Sequence, residues 1–156
     1  MEEKRKSGRA VILVEDNIAT IYREFQDRIF YTFPGGGVEG DETPEQCAVR
    51  EVKEELGIDV KVIEKLYDYE GVNRTEYFYL CEWVSGEFGT GAGEEFQSGN
   101  NGGVYRPTFM RIKDIPDMPL MPPDIAARLY NDFKDGRFKK EIKKSKTNKN
   151  KKGESK

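Results

Sequence analysis

Three glutamates in the middle of the sequence, Glu51, Glu54 and Glu55, have a spacing that could bind a metal ion. Residues three and four positions apart lie on one face of an α-helix, so a helix here would bring the three carboxylates together. The chain contains no histidine, and its cysteines, Cys47 and Cys81, do not have the spacing of a zinc site. An all-oxygen ligand set of this kind favours Mg²⁺ or Mn²⁺.

A glutamate-rich helix face can also be a solvated surface without a ligand. Two neighbouring features favour a site here. Apolar residues recur along the same segment at helical spacing, so they would dock the helix on a sheet and hold the glutamates at the edge of the stripe. Just before the segment, Gly35–Gly37 can bring backbone groups close to the carboxylates because glycine has no side chain. The apolar stripe consists of Ala48, Val49, Val52 and Leu56.

The boundaries of this helix are well marked in the sequence. Thr43 suits the N-cap, Pro44 suits the first helical position, and Gln46 completes a capping box with Thr43. Gly57 stands where a left-handed residue closes a helix, so the helix should end at Leu56. The sequence therefore predicts a helix over 44–56.

The remaining hydrophobic pattern predicts strands separated by loops, followed by a second helix. Residues 34–37 should form a loop, because proline and three glycines cannot sustain a strand ladder. Segment 85–103 has seven glycines and no apolar period, so a long loop is expected there. Pro107 should lie at a sheet edge or a bulge. Strands are predicted over 9–15, 18–25, 29–33, 60–67, 76–84 and 104–112, and the second helix over 124–133.

The net charge of −3 conceals a strong asymmetry. Residues 134–156 contain 11 Lys and Arg against 3 Asp and Glu, whereas the rest of the chain contains 15 basic and 26 acidic residues. Residues 1–133 are so acidic that they should need bound cations in order to contact phosphate groups. We therefore expect a domain over 1–134 and a basic tail over 135–156, disordered from Lys139 onward. A solvated tail is favoured over a nucleic-acid contact.

Length and composition bound the class of protein. At 156 residues with 36% hydrophobic composition, the chain should form one globular domain. Two cysteines are too few for a disulfide framework, and no apolar run reaches membrane-spanning length. The beginning of the sequence lacks the apolar core of a signal peptide. A cytoplasmic protein with no membrane association is therefore expected.

Residues 36–58 resemble the Nudix box of the MutT-like Nudix hydrolases. That box is a glycine, five residues, a glutamate, seven residues, and then Arg-Glu-apolar-any-Glu-Glu-any-Gly-apolar. So many fixed offsets make a chance match improbable. The start and end of the domain are also similar to the family, so the resemblance spans roughly residues 9–133. The nine constrained positions are Gly36, Glu42, Arg50, Glu51, Val52, Glu54, Glu55, Gly57 and Ile58.

The resemblance implies a fold and a metal site. The fold would be an α/β/α sandwich of the α/β class, with a mixed β-sheet and the box as a loop-helix-loop. Glu51, Glu54 and Glu55 would bind Mg²⁺ or Mn²⁺, with the carbonyl of Gly36 as a further ligand. The metal would then be the cofactor of a hydrolase.

Other residues of the box would support the metal ligands. Arg50 would pair with Glu42 or with a metal-binding glutamate and hold it in position for catalysis. Glu42, Gly57 and Ile58 would be structural, the last two by ending the helix and anchoring it. Glu39, just before Glu42, could also face the site.

The activity implied is hydrolysis of the pyrophosphate in a nucleoside diphosphate linked to another group, with water attacking phosphorus. Two sources of a general base stay open. One is a helix carboxylate, Glu54 or Glu55, and the other is a loop carboxylate, Glu94 or Glu95. Glycines around the loop pair would let that segment close over a substrate.

Recognition of a nucleotide would need aromatic faces and a cation. Tyr31, Phe33 and Tyr105 are candidates for stacking on the base, and Arg106 is a candidate for contacting a phosphate, although aromatic residues on strands are more often core. The substrate itself stays open among ADP-ribose-like compounds, modified nucleoside triphosphates and dinucleoside polyphosphates.

Two other functions remain as alternatives. A catalytically silent Nudix-type module could sense or bind nucleotides, but such modules usually lack a metal ligand and none is missing here. An RNA-associated Nudix enzyme could use the basic tail, in which case binding would depend on salt. The expected partners are a small nucleotide and, where the site needs completing, a second copy of the chain.

Overall fold

The structure, a computed structural model, describes residues 4–91 and 103–145. None of the helices in these ranges is long and apolar enough to span a membrane. The strands are β1 (Arg5–Val14), β2 (Asn17–Phe25), β3 (Arg28–Thr32), β4 (Gly35–Gly37), β5 (Ile58–Glu70), β6 (Arg74–Gly86), β7 (Val104–Arg111) and β8 (Leu120–Met121). The α-helices are α1 (Pro44–Leu56) and α2 (Pro123–Lys134), and a 3-10 helix spans Ile112–Asp117.

The strands form a mixed sheet with two halves. In one half β6 lies between β5 and β1, and β4 pairs with the other edge of β1; in the second half β2 lies between β7 and β3, and β8 follows β3. The halves are joined where Leu13 and Val14 of β1 pair with Ile18 and Asn17 of β2. Beyond this junction β1 and β2 separate. The β1–β6 and β3–β8 pairs are parallel and the others antiparallel.

The segment between the two halves contradicts one prediction. The sequence predicts a loop at 34–37, but Gly35–Gly37 form β4 and pair antiparallel with residues 7–9 of β1. The carbonyl of Pro34 also accepts a hydrogen bond from the N–H of Ala10 at 2.9 Å. The prediction was wrong because pairing needs only backbone groups, and β1 presents an open edge where it leaves β2.

The first helix begins and ends where the sequence predicts. Thr43 Oγ1 accepts a hydrogen bond from the N–H of Gln46 at 3.1 Å, and the N–H of Thr43 donates to Gln46 Oε1 at 3.0 Å. Gly57 closes the helix with a φ of 81°, and its N–H donates to the carbonyl of Lys53. The capping box and the left-handed glycine are therefore confirmed, and together they set the position of the glutamates along the chain.

Alternation along β1 divides the interior into two cores. Ala10 and Ile12 pack on the α1 side of the sheet, whereas Val11 and Leu13 pack on the α2 side. The predicted α/β/α sandwich is therefore confirmed. The α1-side core also includes Ala19, Ile21, Ala48, Val52, Leu56, Ile58, Val60, Tyr79 and Cys81. The α2-side core also includes Ile18, Phe33, Leu66, Tyr67, Phe78, Leu80, Met110, Ile112, Ile115, Leu120, Ile125, Ala126, Leu129 and Phe138.

Helix α1 approaches β1 closely because Gly8 has no side chain. A β-carbon at Gly8 would collide with the carbonyl oxygen of Pro44 and would lie 2.9 Å from the nitrogen of Ala48. Both of these are backbone atoms, which cannot turn aside. Gly8 thus allows the first turns of the helix to rest directly on the strand.

Part of the basic C-terminal segment is folded. The sequence predicts disorder at residues 139–145, but they are helical. Phe138 is 1% exposed, and Ile142 packs against the same core as α2. The Oγ of Ser145 accepts a hydrogen bond from the N–H of Glu15 at 2.6 Å. The prediction was wrong here because two apolar side chains suffice to dock a short lysine-rich helix on the α2-side core.

A buried tyrosine fastens this segment to the body. The hydroxyl of Tyr67 donates to Asp132 Oδ2 at 2.6 Å, and Arg137 Nη1 donates to the same oxygen at 2.7 Å. Arg137 also pairs with Glu64 on β5 at 3.2 Å. Burial and the hydrogen bond to Asp132 raise the pKa of Tyr67 above its ordinary value. The sequence predicts that the domain ends at residue 134 and that a tail begins at residue 135. These contacts join residues on both sides of that boundary.

Candidate active site

Arg50 lies at the centre of a carboxylate cluster formed by α1 and the loop before it. Its Nε and Nη2 donate to the two oxygens of Glu42 at 2.7 and 3.0 Å. Its Nη1 donates to Glu51 at 3.1 Å and to Glu54 at 2.9 Å. The carboxylate of Glu39 lies 3.7 Å from the same nitrogen. One guanidinium therefore faces four carboxylates, and the cluster keeps an excess of negative charge.

The pair between Arg50 and Glu42 has two parallel hydrogen bonds, the strong geometry for an arginine and a carboxylate. The bonds from Arg50 lower the pKa of Glu42 from 4.5 to about 2. They also raise the pKa of Arg50. Glu42 further accepts the N–H of Glu39 at 3.1 Å, which closes the loop before the helix. The sequence-based expectation was that Arg50 pairs with either Glu42 or a metal-binding glutamate, and the structure contains both contacts.

Glu51 lies directly against the backbone of β4. A β-carbon at Gly36 would collide with its carboxylate, so this close approach requires glycine. Burial raises the pKa of Glu51, Arg50 opposes this effect, and Glu54 adds to it. The carbonyl of Gly36, predicted as a metal ligand, accepts the thiol of Cys47 at 3.2 Å. The first glutamate of the cluster is thus positioned by contact with the glycine strand.

The other two glutamates differ in their surroundings. Glu55 Oε1 accepts a hydrogen bond from the N–H of Gly35 at 2.8 Å, so it too is held against β4. The side chain of Glu54 is 47% exposed, against 20% for Glu51. Glu54 is therefore more exposed to solvent than Glu51, and its carboxylate accepts hydrogen bonds from Arg50. Glu51 and Glu55 therefore lie against the glycine segment, whereas Glu54 is joined to the cluster through Arg50.

The donor chemistry of the cluster fits a hard divalent cation. Carboxylate and carbonyl oxygens are the ligands that Mg²⁺ and Mn²⁺ prefer, and the three helix glutamates and Gly36 offer only such oxygens. In the part of the chain that the structure describes, however, no three Asp, Glu, His or Cys side chains are arranged to hold a metal. Arg50 and the backbone of β4 hold the carboxylates instead. Metal binding would therefore require some of the glutamates to turn away from Arg50.

Phe33, predicted to stack on a base, is part of the core. Its ring is 1% exposed and meets the ring of Phe78 edge-on, with centroids 5.2 Å apart. A base cannot reach a ring that is enclosed in this way, so the prediction was wrong. The residue follows the last position of β3, where its aromatic side chain fills the α2-side core.

Tyr31 and Arg106 lie away from the glutamates, on the α2 side of the sheet. Tyr31 packs against the α2-side core and meets Tyr22 edge-on at 5.4 Å. The guanidinium of Arg106 lies 5.6 Å from the ring centroid of Tyr22. The structure therefore groups Arg106 with two tyrosines rather than with the carboxylates of α1.

Tyr105, the fourth predicted substrate contact, packs against the α1-side core. The guanidinium of Arg23 lies 3.9 Å from the centroid of its ring, and Arg23 Nε is buried without a hydrogen-bond partner. One face of Tyr105 is thus covered by Arg23. Sequence reasoning did not identify this pairing, because the two residues are far apart in the chain and meet only through the β2–β7 register.

Glu94 and Glu95, the loop candidates for a general base, lie outside the described residues. The loop before them is anchored at the end of α1. The N–H of Gly89 donates to the carbonyl of Leu56 at 2.9 Å. A β-carbon at Gly91 would lie 2.5 Å from the carbonyl oxygens of Glu54 and Glu55, so glycine permits this approach. The described part of the loop therefore leads to the C-terminal end of the glutamate helix.

A second polar group, on the other face of β4, was not predicted. Arg9 Nε donates to Glu76 at 2.8 Å, and Arg9 Nη1 donates to the carbonyl of Gly35 at 3.2 Å. Nearby, Arg74 Nη1 donates to the buried hydroxyl of Ser7 at 2.6 Å. Polar residues at positions 7 and 9, on a strand face that becomes apolar farther along, were a signal that could have indicated this group.

Comparison with known proteins places this geometry in context. The family model described as the NUDIX domain matches residues 3–129. Over 59 residues, the chain is 46% identical to an 8-oxo-dGTP diphosphatase of Escherichia coli (strain K12), which covers 35% of this chain and 46% of that protein. Over 54 residues, it is 35% identical to an RNA pyrophosphohydrolase of Marinomonas sp. (strain MWYL1), covering 35% and 34%. The matches span about half or less of these relatives.

Solved structures with the same fold extend the comparison to most of the chain. A MutT structure from a study of Aliivibrio salmonicida and Vibrio cholerae has a TM-score of 0.65 and 21% identity, and the match covers 83% of this chain and 98% of that one. A NUDIX hydrolase from Nitrosomonas europaea has a TM-score of 0.68 and 17% identity, covering 87% and 75%. At these identities the likeness concerns the fold.

Proposed function

The chain belongs to the NUDIX domain family, and on this basis we propose that it is a metal-dependent pyrophosphohydrolase of nucleotide-linked substrates. The reaction is attack of water on a phosphorus of the pyrophosphate, which yields two phosphate-terminated products. Relatives named as 8-oxo-dGTP diphosphatases and as an RNA pyrophosphohydrolase support a substrate with a nucleoside polyphosphate group.

The observation that carries this proposal is the clustering of three helix glutamates: Glu51 and Glu55 lie against the glycine strand, and Glu54 shares Arg50 with Glu51. Like charges at this helical spacing destabilise a helix by about 0.2–0.5 kcal/mol per pair, and one arginine shared with Glu42 compensates them only in part. Burial of Glu51 adds to this cost. A divalent cation bound by these oxygens would remove the repulsion. Metal binding would therefore explain why the three carboxylates are clustered.

In the proposed site, the three helix glutamates and the carbonyl of Gly36 hold Mg²⁺ or Mn²⁺. When bound, the ion supplies charge neutralisation for the phosphate oxygens and lowers the pKa of a water molecule. Glu42 fixes the guanidinium of Arg50 through two hydrogen bonds. Arg50 in turn donates to Glu51 and Glu54, two of the residues that would hold the ion. Arg50 is thus a positioning residue, as the sequence resemblance implies.

A base must take the proton of the attacking water, and both Glu54 and Glu55 can serve. Glu54 is 47% exposed and within reach of solvent. Glu55 is held with one oxygen on the N–H of Gly35, which fixes its orientation at the site. The loop glutamates Glu94 and Glu95 are two further candidates for the general base. The pH profiles of single Gln variants at saturating metal would identify the base, because loss of the base removes the acidic limb that its deprotonation produces.

The test is hydrolysis by the purified full chain of a panel of nucleotides. The panel contains 8-oxo-dGTP, dGTP, ADP-ribose, a dinucleoside polyphosphate and an RNA with a 5′-triphosphate, each with Mg²⁺, with Mn²⁺ and with a chelator. We expect metal-dependent release of phosphate-terminated products from at least one compound. Binding of nucleotides without any turnover would support the silent sensing module instead. Equal turnover with the chelator would contradict the metal site.

A further inference from the structure

Cys47 lies on the face of α1 that carries the glutamates. It stands four positions before Glu51 and seven before Glu54, so the three side chains follow one line along the helix. Cys47 is 0% exposed, yet it belongs to neither of the two apolar cores. It is therefore buried between the helix and the residues around the carboxylate cluster, and packing in a core does not account for it.

The thiol of Cys47 joins two parts of the cluster. As a donor, it bonds to the carbonyl of Gly36 at 3.2 Å. As an acceptor, its sulfur receives Arg50 Nη2 at 3.7 Å. A thiol can make both contacts, because its S–H is a weak donor and its sulfur a weak acceptor. One buried side chain thus connects the glycine strand to the arginine at the centre of the cluster.

The contacts of Arg50 Nη2 differ from those of Nη1. Besides the sulfur, Nη2 donates to the carbonyl of Gly37 at 3.2 Å and to Glu42 at 3.0 Å. None of these three acceptors is a proposed metal ligand. Nη1, by contrast, donates to Glu51 and Glu54, which are two of the proposed ligands. The Nη2 contacts can therefore hold Arg50 in place even where a metal ligand gives up its bond to Nη1.

The bond to Gly36 acts on the carboxylates from the side of the strand. Glu51 lies so close to Gly36 that a β-carbon there would collide with its carboxylate, and Glu55 accepts the N–H of Gly35 at 2.8 Å. The positions of both carboxylates thus depend on the separation between α1 and β4. The hydrogen bond from Cys47 to the Gly36 carbonyl fixes this separation at the start of the cluster.

We propose that Cys47 is a positioning residue of the metal site: its thiol holds Arg50 and the glycine strand in place beside the glutamates that bind the ion. This inference rests on the proposed function, because it takes the cation to lie at those glutamates. Cys47 acts through Gly36 and Arg50 and contacts neither ion nor substrate. A side chain without a donor or acceptor at this position should therefore weaken metal binding without stopping the reaction.

The test compares three single variants with the parent chain. Cys47→Ala removes the donor and the acceptor, whereas Cys47→Ser keeps both. Cys81→Ala is the matched control, because Cys81 is a second buried cysteine, 2% exposed, whose thiol donates to a backbone carbonyl. That carbonyl belongs to Tyr79, and both residues lie in the α1-side core.

The first measurement is calorimetric titration of Mn²⁺ into each chain without nucleotide, which needs no turnover. We expect Cys47→Ala to raise the Kd for Mn²⁺ about three- to tenfold, the range of one ordinary hydrogen bond, and the other two variants to stay within about twofold of the parent. The serine variant should keep the affinity because its hydroxyl can donate and accept as the thiol does.

The second measurement is steady-state kinetics across Mn²⁺ concentration, with a nucleotide that the parent chain hydrolyses. The kcat of Cys47→Ala at saturating Mn²⁺ should stay within about threefold of the parent, so that its loss appears in the metal dependence. Urea unfolding separates this effect from lost packing. Cys47→Ala and Cys81→Ala each remove one buried sulfur and should both lose stability, but only Cys47→Ala should lose metal affinity.

An equal Kd for Mn²⁺ in Cys47→Ala and the parent chain would overturn the inference. Equal weakening in Cys47→Ala and Cys47→Ser would also overturn it, because the effect would then follow side-chain size. If Cys47→Ala does not fold, Cys47→Thr and Cys47→Val decide, since they have nearly the same shape and only threonine has a hydroxyl. Equal affinity for Mn²⁺ in that pair would count against the inference.

The outcomes also separate this inference from the proposed function. Metal-dependent hydrolysis by the parent chain, with unchanged metal affinity in Cys47→Ala, would contradict only the role of Cys47. A parent chain that neither binds Mn²⁺ nor hydrolyses any nucleotide of the panel would contradict the proposed function, and the role of Cys47 with it.

Discussion

Arg50 and Glu42 are joined by two hydrogen bonds, 2.7 and 3.0 Å long, between the loop before α1 and the middle of that helix. The pair closes the loop on the helix and aims the remaining guanidinium nitrogen at Glu51 and Glu54. Because the same arginine holds two proposed metal ligands, the geometry of the site depends on a carboxylate that need not touch the metal.

The first prediction concerns pH. The pKa of Glu42 is about 2 in the folded chain and 4.5 ordinarily. A lowered pKa stabilises the fold above the ordinary value, so this contribution should be lost as the pH falls from about 4.5 toward about 2. Glu42→Gln should be less stable at neutral pH and show a weaker pH dependence in that window. Urea unfolding at several pH values measures the stability and its pH dependence. Identical pH dependence in the parent chain and in Glu42→Gln would contradict the prediction.

The second prediction concerns metal binding. At a Mg²⁺ or Mn²⁺ concentration ten times the Kd, binding should stabilise the fold by about 1.4 kcal/mol. This corresponds to a rise in Tm of roughly 4 °C. Glu51→Gln should lose most of the rise, whereas Glu45→Gln, an exposed glutamate in the first turn of the same helix, should keep it. Thermal unfolding with and without metal is the measurement, and no rise in the parent chain would count against the site.

The third prediction concerns the base. Glu54→Gln and Glu55→Gln should both fold, and the one that removes the base should lose about a hundredfold or more in kcat. The other should lose metal affinity, so its activity should recover in part at higher metal concentration. Steady-state kinetics across metal concentration and pH separates the two. Full activity in both variants would show that neither Glu54 nor Glu55 is the base and that another residue, such as a loop glutamate, has that role.

The fourth prediction contrasts two glycines. Gly36→Ala should fold but displace the carboxylate of Glu51, because the obstacle is the end of a flexible side chain. We expect at least about a tenfold loss of kcat with little loss of stability. Gly8→Ala meets backbone atoms of Pro44 and Ala48, so it should destabilise the fold by about 1–3 kcal/mol. Kinetics and urea unfolding of both variants would show this contrast, and equal losses of stability would refute it.

The fifth prediction concerns the C-terminal segment. Phe138 is 1% exposed, so Phe138→Ala should cost about 3–5 kcal/mol of unfolding free energy. The control Phe109→Ala, at a ring that is 39% exposed, should cost clearly less. Truncation after Ser145 should leave stability and hydrolysis of small nucleotides unchanged, because the docking contacts precede that point. A cost below about 1 kcal/mol for Phe138→Ala would mean that the segment is not docked.

The sequence by itself was sufficient for the helix that carries the glutamates. Its bounds follow from local rules, because the cap of Thr43 and the left-handed Gly57 act within four residues of themselves. The i, i+3 and i+4 spacing likewise determines that the three glutamates share a face. The α/β/α class was implied by the resemblance to the Nudix box.

The tertiary structure determined the contacts between residues that are distant in the chain. Hydrophobic periodicity could not show that Gly35–Gly37 would pair with β1, since pairing depends on an edge opened by the separation of two other strands. Nor could it show that Phe33 would be enclosed while Arg9 and Glu76 would meet beside the same glycines. Local sequence determined which groups the site contains, and packing determined which of them lie on each face of β4.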